Sequence, residues 1–402
     1  MAAFFAAMYF VQGFGDPASG LLAQPVRAML REWGEGPAAI GVFMALMSWP
    51  WTAKPLFALL ADCVPLAGSH RRHYLLTSSA LAALALAVLA LLPLPRGALP
   101  LLFALLLVPA VAIAFGDVLV DALMVEYGQP RGLTGQLQSL QWAAVYTAMI
   151  VSGVLAGWLA AHDATAVAFA LAASLWAMGW WLAGRHARDL PQTPAAPREV
   201  LAGLAACARD PVLRAAAGFL VLWSFNPAWD TVQYLHVTGA QGFGEQAYGL
   251  ASSAFAAGAV VASLAYGVYC RRLALGRLLD LAVLGGVVGY GLYLDVATPE
   301  GFAIVAAIAG FATMTGTLVQ LDLCARLVPV RLAASAFAML MALTNFSASV
   351  AEALGAQAYE WLGAAFDADT AYQLVVLAGV CAAAACRALV PTLRRAGDAA
   401  PA

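Results

Sequence analysis

Charge is scarce in this chain. Only 10% of its 402 residues are Asp, Glu, Lys or Arg, against 63% hydrophobic, whereas a water-soluble chain carries about a quarter charged residues. That shortage excludes an ordinary soluble domain. Porin-like alternation is also missing, and the runs 75–92 and 99–114 are unbroken and apolar. In a bilayer such runs must be helices, which satisfy their own backbone groups. The six cysteines, Cys63, Cys207, Cys270, Cys324, Cys381 and Cys386, show no metal-ligand spacing and no disulfide framework. There is no Walker motif, and Gly13-Phe14-Gly15 lacks the strand and helix of a nucleotide loop. The five histidines form no triad with a nucleophile. Enzyme chemistry, a cofactor, a metal and nucleic-acid binding therefore have no support. The first apolar run has no basic start, is too long and contains Asp16-Pro17, so it does not read as a cleavable signal peptide.

Lysine is scarcest of all. Lys54 is the only one, inside Ser48-Trp49-Pro50-Trp51-Thr52-Ala53-Lys54-Pro55-Leu56 within a membrane-length apolar stretch. A cation at bilayer depth costs several kcal/mol, about 2.5–3.5 even on lenient scales, and so needs an anionic partner or a wet cavity. Asp16, Asp117, Asp121, Asp230 and Asp322 are available at similar depth. One lysine among several buried acids reads as a solute pathway.

Breaks at charged and Pro/Gly clusters divide the chain into twelve expected spans, centred near Gly13, Met47, Ala83, Val111, Ala148, Leu175, Leu222, Phe255, Val287, Ile308, Thr344 and Val380. Residues 185–211 are too polar to span and read as a linker, leaving six-helix bundles at 1–184 and 212–402. Arg27, Arg31 and Arg96 fall on one side of the membrane and all other arginines on the opposite side. By the positive-inside rule both termini and the linker are cytoplasmic, in a multi-pass protein of the cell (inner or plasma) membrane. The halves echo each other. Asp16-Pro17 in the first span matches Asn226-Pro227 in the seventh, the loops with Arg71-Arg72 and Arg271-Arg272 correspond, and Asp117 pairs with Asp322. The expected fold is an all-α integral membrane protein of two pseudo-symmetric six-helix bundles, the major facilitator plan, with the solute bound at midplane between the halves.

Asp117 and Asp121 stand four residues apart, on one helix face, and Glu126 closes the same helix. Two carboxylates in an apolar span do not both keep a charge without a nearby cation, which suits proton binding and release; Lys54 is the natural counter-charge. A static ion pair that only fixes helix packing is the plainer alternative. The acid-then-arginines loop from Asp62 to Arg71 and Arg72 suits a latch on one face, with Glu126 and Arg131 nearby. Aromatic side chains gather at the polar breaks: Trp49 and Trp51 around Pro50, and Trp223, Trp229 and Tyr234 around Asn226-Pro227 and Asp230, with Phe14 and Trp142 extending the group. They could sandwich a planar heterocycle whose N–H groups bond Asp230 or Asp117, or simply form interfacial belts. Gln136, Gln138 and Gln141 open the fifth span, and Asn226, Thr315, Gln320 and Glu352 add polar positions in the second half.

The ordered motifs Tyr9-Phe10-Val11-Gln12-Gly13, Trp51-Thr52-Ala53-Lys54-Pro55-Leu56, Ala61-Asp62, Arg71-Arg72, Asp117-Val118-Leu119-Val120-Asp121-Ala122-Leu123-Met124-Val125-Glu126 and Gly135-Gln136-Leu137-Gln138-Ser139-Leu140-Gln141-Trp142 together resemble the folate–biopterin transporter family, a branch of the major facilitator superfamily. The resemblance covers most of the first half; the second half matches in hydropathy and a few polar positions. It implies a transported pteridine or folate, with Lys54, Asp117 and Asp121 as functional positions. The Gly68-Ser69-His70-Arg71-Arg72 loop is longer than usual, and the arginine expected soon after Glu126 is displaced to Arg131. The expected function is proton-coupled secondary transport by a monomer, with a small-molecule substrate and protons as coupling ion. Two alternatives are a permease or exporter of another amphipathic solute, such as a muropeptide or amino-acid derivative, and a non-transporting receptor or scaffold. Buried charge has no evident use in the last.

Overall fold

The structure is a computed structural model that describes residues 1–128, 131, 133–188, 208–269, 272–327 and 333–399. The described residues are almost entirely helical, as unbroken apolar sequence requires in a medium that offers the backbone no water. In the first half the helices are α1 (Ala2–Gly15), α2 (Ala23–Glu32), α3 (Pro37–Ser48), α4 (Lys54–Cys63), α5 (Arg72–Leu91), α6 (Leu99–Gly128), α7 (Thr134–Ala161) and α8 (Thr165–His186). The second half contributes α9 (Pro211–Ser224), α10 (Thr231–Leu235), α11 (Glu245–Tyr269), α12 (Leu275–Gly291), α13 (Pro299–Leu327), α14 (Ala333–Gly363), α15 (Ala368–Ala385) and α16 (Val390–Ala399). Each of the twelve expected span centres falls on one of these helices. Among the described residues, eight helices are long and apolar enough to cross a bilayer. Their outward faces carry bare aliphatic side chains: Leu91 is 84% and Leu264 75% exposed, a surface suited to lipid and not to water.

Three of the expected spans are interrupted, each at proline. Asp16-Pro17 stops α1 after 14 residues, and a turn leads into the amphipathic α2, which carries Arg27 and Arg31. Pro50 opens a 3-10 turn, Trp49–Ala53, that separates α3 from α4, whose own first turn holds Pro55. Asn226-Pro227 separates α9 from α10, which runs on into a π turn, His236–Ala240. The two Asx-Pro breaks share one local device. Asp16 Oδ1 accepts the Ala18 N–H at 3.0 Å, and Asn226 Oδ1 accepts the Ala228 N–H at 3.3 Å; each side chain caps the turn that its proline forces.

The chain divides into two compact units, one of Met1–Glu35 with Leu46–Ala195 and one of Gly36–Ala45 with Ala196–Ala402. Most of the polar linker, residues 189–207, lies outside the described residues. In the first unit Phe5, Met8, Tyr9, Leu75, Leu119, Val120 and Ala183 form the centre of the core. Helix α5 packs between α6 and α8, and α1 lies against α7 and α8. The second unit is centred on Phe219, Leu220, Trp223, Leu278, Leu279, Val319, Leu323 and Cys386. Its tightest contact joins α11 to α13, where a Cβ at Gly258 would collide with the Ala307 backbone and one at Gly310 with the Phe255 backbone. Small residues permit that approach where no hydrophobic force drives helices together.

Candidate functional site

The charged cluster belongs to the first unit. The proline-stiffened turn Trp49–Ala53 places Lys54 as the first residue of α4, so its side chain leaves a helix start fixed by Pro50 and Pro55. Lys54 Nζ lies 2.6 Å from Asp117 Oδ2 on α6 and 4.4 Å from the centroid of the Trp51 ring. The lysine side chain is 22% exposed and the aspartate 12%, so the pair is largely desolvated. One turn along the same helix, Asp121 has different company. Its Oδ1 accepts the Tyr9 hydroxyl of α1 at 2.5 Å and the Gln141 amide of α7 at 3.1 Å. The Tyr9 hydroxyl also lies 3.6 Å from Met124 Sδ.

Four helices therefore meet at one cation, two carboxylates, an aromatic face and two neutral donors. If both acids are ionised, the single lysine balances one of them. Losing either member of the Lys54–Asp117 pair would leave an uncompensated buried charge, a cost of about 3–5 kcal/mol. Beside the cluster, Gln12 is 3% exposed, and neither polar atom of its amide has a partner among the described residues. Its Nε2 points at Gly116, where an added Cβ would stand 3.6 Å away.

Asp16 caps its own turn, with Ser19 donating to Oδ2 at 2.7 Å. Phe14 is buried and stacks on Phe10, and Trp142 stacks on Tyr146. Trp49 is half exposed at 53%, unlike Trp51 beneath the lysine. At the arginine-rich end of this unit Arg71 Nε reaches Glu126 Oε1 at 3.4 Å, and Arg72 donates to the Gly184 carbonyl of α8 at 2.9 Å. Arg131 donates to the Tyr127 carbonyl and lies over that ring. Asp62 and Gln138 sit on α4 and α7, but their side chains are outside the described part.

The second unit holds the other predicted positions. Asp230 ends the break after α9 with φ +56°, a conformation unusual for a residue with a side chain, and Tyr248 donates to its carbonyl at 3.3 Å. Trp229 packs against Phe255 at 4.9 Å and edge-on to Tyr293 at 6.2 Å. Trp223 is a core residue, 3% exposed, stacked on Phe219 and seated against Gly286 and Gly316. Gln320 is buried with its Nε2 unpartnered among the described residues, and Asp322 is half-buried two positions along α13. Glu352 accepts the Thr231 hydroxyl at 2.7 Å. Among the described residues no three His, Cys, Asp or Glu side chains are grouped to hold a metal.

Tyr9 is the residue that site selection from sequence passed over. Its signal was present: Tyr9 opens the polar-containing motif Tyr9-Phe10-Val11-Gln12-Gly13, seven residues before Asp16. The rotation of α1 against α6 was not.

A family model described as the BT1 family matches residues 12–222, just over half of the chain. The chain belongs to the BT1 family. Its relatives include the folate-biopterin transporter of Synechocystis sp., 26% identical over 377 residues, which are 89% of this chain and 74% of that protein. Probable folate-biopterin transporter 4 of Arabidopsis thaliana is 28% identical over 153 residues, 38% of this chain and 30% of that protein. Among solved structures, nucleoside transporter NupG has a TM-score of 0.72 at 14% identity, covering 96% of this chain and 98% of NupG. A D-xylose-proton symporter has a TM-score of 0.71 at 14% identity, covering 98% of both chains. At that identity the likeness concerns the fold, which is that of the major facilitators. This BT1-family chain is a multi-pass membrane transporter, and Lys54, Asp117, Asp121, Gln141 and Gln12 all lie within the matched segment.

Proposed function

We propose that the protein is a proton-coupled secondary transporter that moves a pteridine- or folate-like planar solute across the cell membrane by alternating access. The observation that carries this reading is the make-up of the first-unit cluster: a buried cation, two carboxylates, and only neutral hydrogen-bond donors for the second carboxylate. Such a set can take a proton on the second carboxylate without creating a new unbalanced charge in the apolar layer. A folate brings a planar ring and carboxylates; a pterin brings the ring and its N–H groups. Trp51 and Trp142 in the first unit and Trp229 in the second are half-buried rings suited to stacking on such a heterocycle. Asp16, Asp230, Asn226, Gln320 and Asp322 are assigned as further polar contacts along the pathway. Arg71 with Glu126, joined by Asp62, Arg72 and Arg131, is assigned as the latch at a cytoplasmic face that also carries both termini. The names of the two relatives support the solute class.

The test is uptake of labelled pterin and folate by proteoliposomes under an imposed pH gradient. Wild type should accumulate one of these solutes, be inhibited by the other, and lose accumulation when the gradient is collapsed. If neither solute is taken up or competes, the solute class is wrong. If Lys54→Ala leaves transport of the true solute intact, the site is wrong.

A further inference from the structure

Asp117 and Asp121 are chemically identical and one helical turn apart, yet their partners differ in kind. Asp117 is bound to a cation. Asp121 is bound to two neutral groups, each of which has a second option. The Tyr9 oxygen that donates to Asp121 at 2.5 Å also lies 3.6 Å from Met124 Sδ, a weak acceptor. The Gln141 amide donates through Nε2 at 3.1 Å, while its Oε1 is buried with no partner among the described residues. A buried carbonyl oxygen left unbonded costs about 1–3 kcal/mol, so an acceptor stands idle beside a carboxylate.

Resting on the proton-coupled reading above, we propose that Asp121 is the carboxyl that carries the coupling proton, with Tyr9 and Gln141 as positioning residues whose hydrogen bonds reverse when it arrives. In the ionised state both neighbours donate to the carboxylate. A proton from the aqueous phase then adds to a carboxylate oxygen; one O–H bond forms, none to carbon breaks, and no electrons are exchanged. The new O–H donates to the Tyr9 oxygen while the Tyr9 hydrogen swings to Met124 Sδ. Alternatively, a half-turn of the Gln141 amide brings Oε1 to where Nε2 stood, as the acceptor. Either reversal seats the proton without moving a charged side chain.

The same event at Asp117 would strip Lys54 of its carboxylate and leave the cation against the Trp51 ring, an outcome with the cost of a broken buried pair. Asp117 is thus the counter-ion of Lys54, and Asp121 the proton seat. The titratable groups around Asp121 are Tyr9 from α1, Lys54 from α4 and Asp117 on its own helix. Nearby, Tyr74 of α5 donates to the Val64 carbonyl, and Arg71, just before that helix, is engaged with Glu126. From α7 comes the uncharged Gln141.

Infrared difference spectroscopy of the full chain in lipid, with pH as the variable and no solute, tests this directly. A carbonyl band of a buried protonated carboxyl should grow in wild type as pH falls and be absent from Asp121→Asn. It should persist in the double variant Lys54→Gln with Asp117→Asn, which removes both charges and so leaves no orphan. In Tyr9→Phe it should move to higher frequency, since a hydrogen bond to the group is gone, and Asp121→Glu should restore a displaced band if Asp121→Asn folds poorly. A band that is missing in wild type, survives in Asp121→Asn or vanishes in the double variant overturns the assignment. A band unmoved in both Tyr9→Phe and Gln141→Leu overturns the positioning roles. In proteoliposomes, Asp121→Asn should lose accumulation driven by the pH gradient; retained accumulation overturns the assignment. Failure of pterin and folate uptake with the band intact would sink only the solute reading.

Discussion

The two units break a helix in the same way and carry different chemistry in their interiors. In both, an Asx-Pro pair ends a 14-residue helix, and the Asx side chain caps the turn through the N–H two residues on. Around the first unit's polar interior stand Lys54, Asp117, Asp121, Tyr9 and Gln141. Around the second unit's break runs a lattice of rings, Trp229 with Phe255 and Tyr293, then Tyr293 with Phe302 and Tyr248 with Phe302 and Tyr234. The two turns agree because each is a local requirement of its Asx-Pro pair. The side chains around the turns differ, and each buried charge costs stability.

The sharpest way to break that contrast is Lys54→Ala. It leaves two carboxylates without their cation, so stability in detergent should fall by about 3–5 kcal/mol, and uptake by at least about 100-fold. Lys54→Gln with Asp117→Asn should recover most of the thermal stability and none of the transport. In the second unit, Trp229→Phe keeps a ring between Phe255 and Tyr293 and should cost about 0.5–1.5 kcal/mol, with transport only weakened. Equal losses from Lys54→Ala and Trp229→Phe would show that the units share the charge-handling role.

Gly316 in the second unit and Gly116 in the first face neighbours of different rigidity. A Cβ at Gly316 would overlap the Trp223 ring, a rigid neighbour in the core, so Gly316→Ala should destabilise by about 1–3 kcal/mol. A Cβ at Gly116 would meet Gln12 Nε2 at 3.6 Å and a Leu75 methyl at 3.7 Å, ordinary contact distances in a helix interior. Gly116→Ala should therefore be neutral or stabilise by up to about 1 kcal/mol through helix propensity. Thermal melts of the two variants decide it, and a large loss at Gly116 would mean that the space beside Gln12 is needed in another conformation.

What the amino-acid order made legible follows from which signals are local. Twelve helix positions could be read because hydropathy over twenty residues is a property of the segment itself. Asp16-Pro17 and Asn226-Pro227 announced their breaks, since proline cannot continue the backbone pattern. The pairing of Lys54 with Asp117 was within reach because the chain offers a single lysine and few acids at depth. Tyr9 was not, because periodicity fixes its face of α1 but not how α1 is rotated against α6. Trp223, grouped with the solute-stacking rings, packs instead on Gly286 and Gly316, more than sixty residues away in sequence. An aromatic beside an Asn-Pro break looks the same whether it faces a pathway or a glycine. Helix α2 was not foreseen, because hydropathy assigns Arg27 and Arg31 to a connection between spans and says nothing of its conformation.

The smallest expected effect probes the shared turn itself. Asp and Asn are nearly isosteric, and both place an acceptor where the N–H two residues on can reach it. Exchanging them tests whether the turns are equivalent or only look alike. Asn226→Asp keeps the acceptor for Ala228 but puts a new charge beside Gly379 on α15, toward which the Asn226 side chain already points. Asp16→Asn keeps the bond to Ala18, but an amide nitrogen can replace the oxygen that accepts from Ser19. The loss is then one hydrogen bond, about 0.5–1.5 kcal/mol. Asn226→Asp should thus cost more than Asp16→Asn, and melting curves of the two single variants should rank them in that order. The reverse ranking would mean that the charge on Asp16, and not its turn geometry, is what the first break was built to hold.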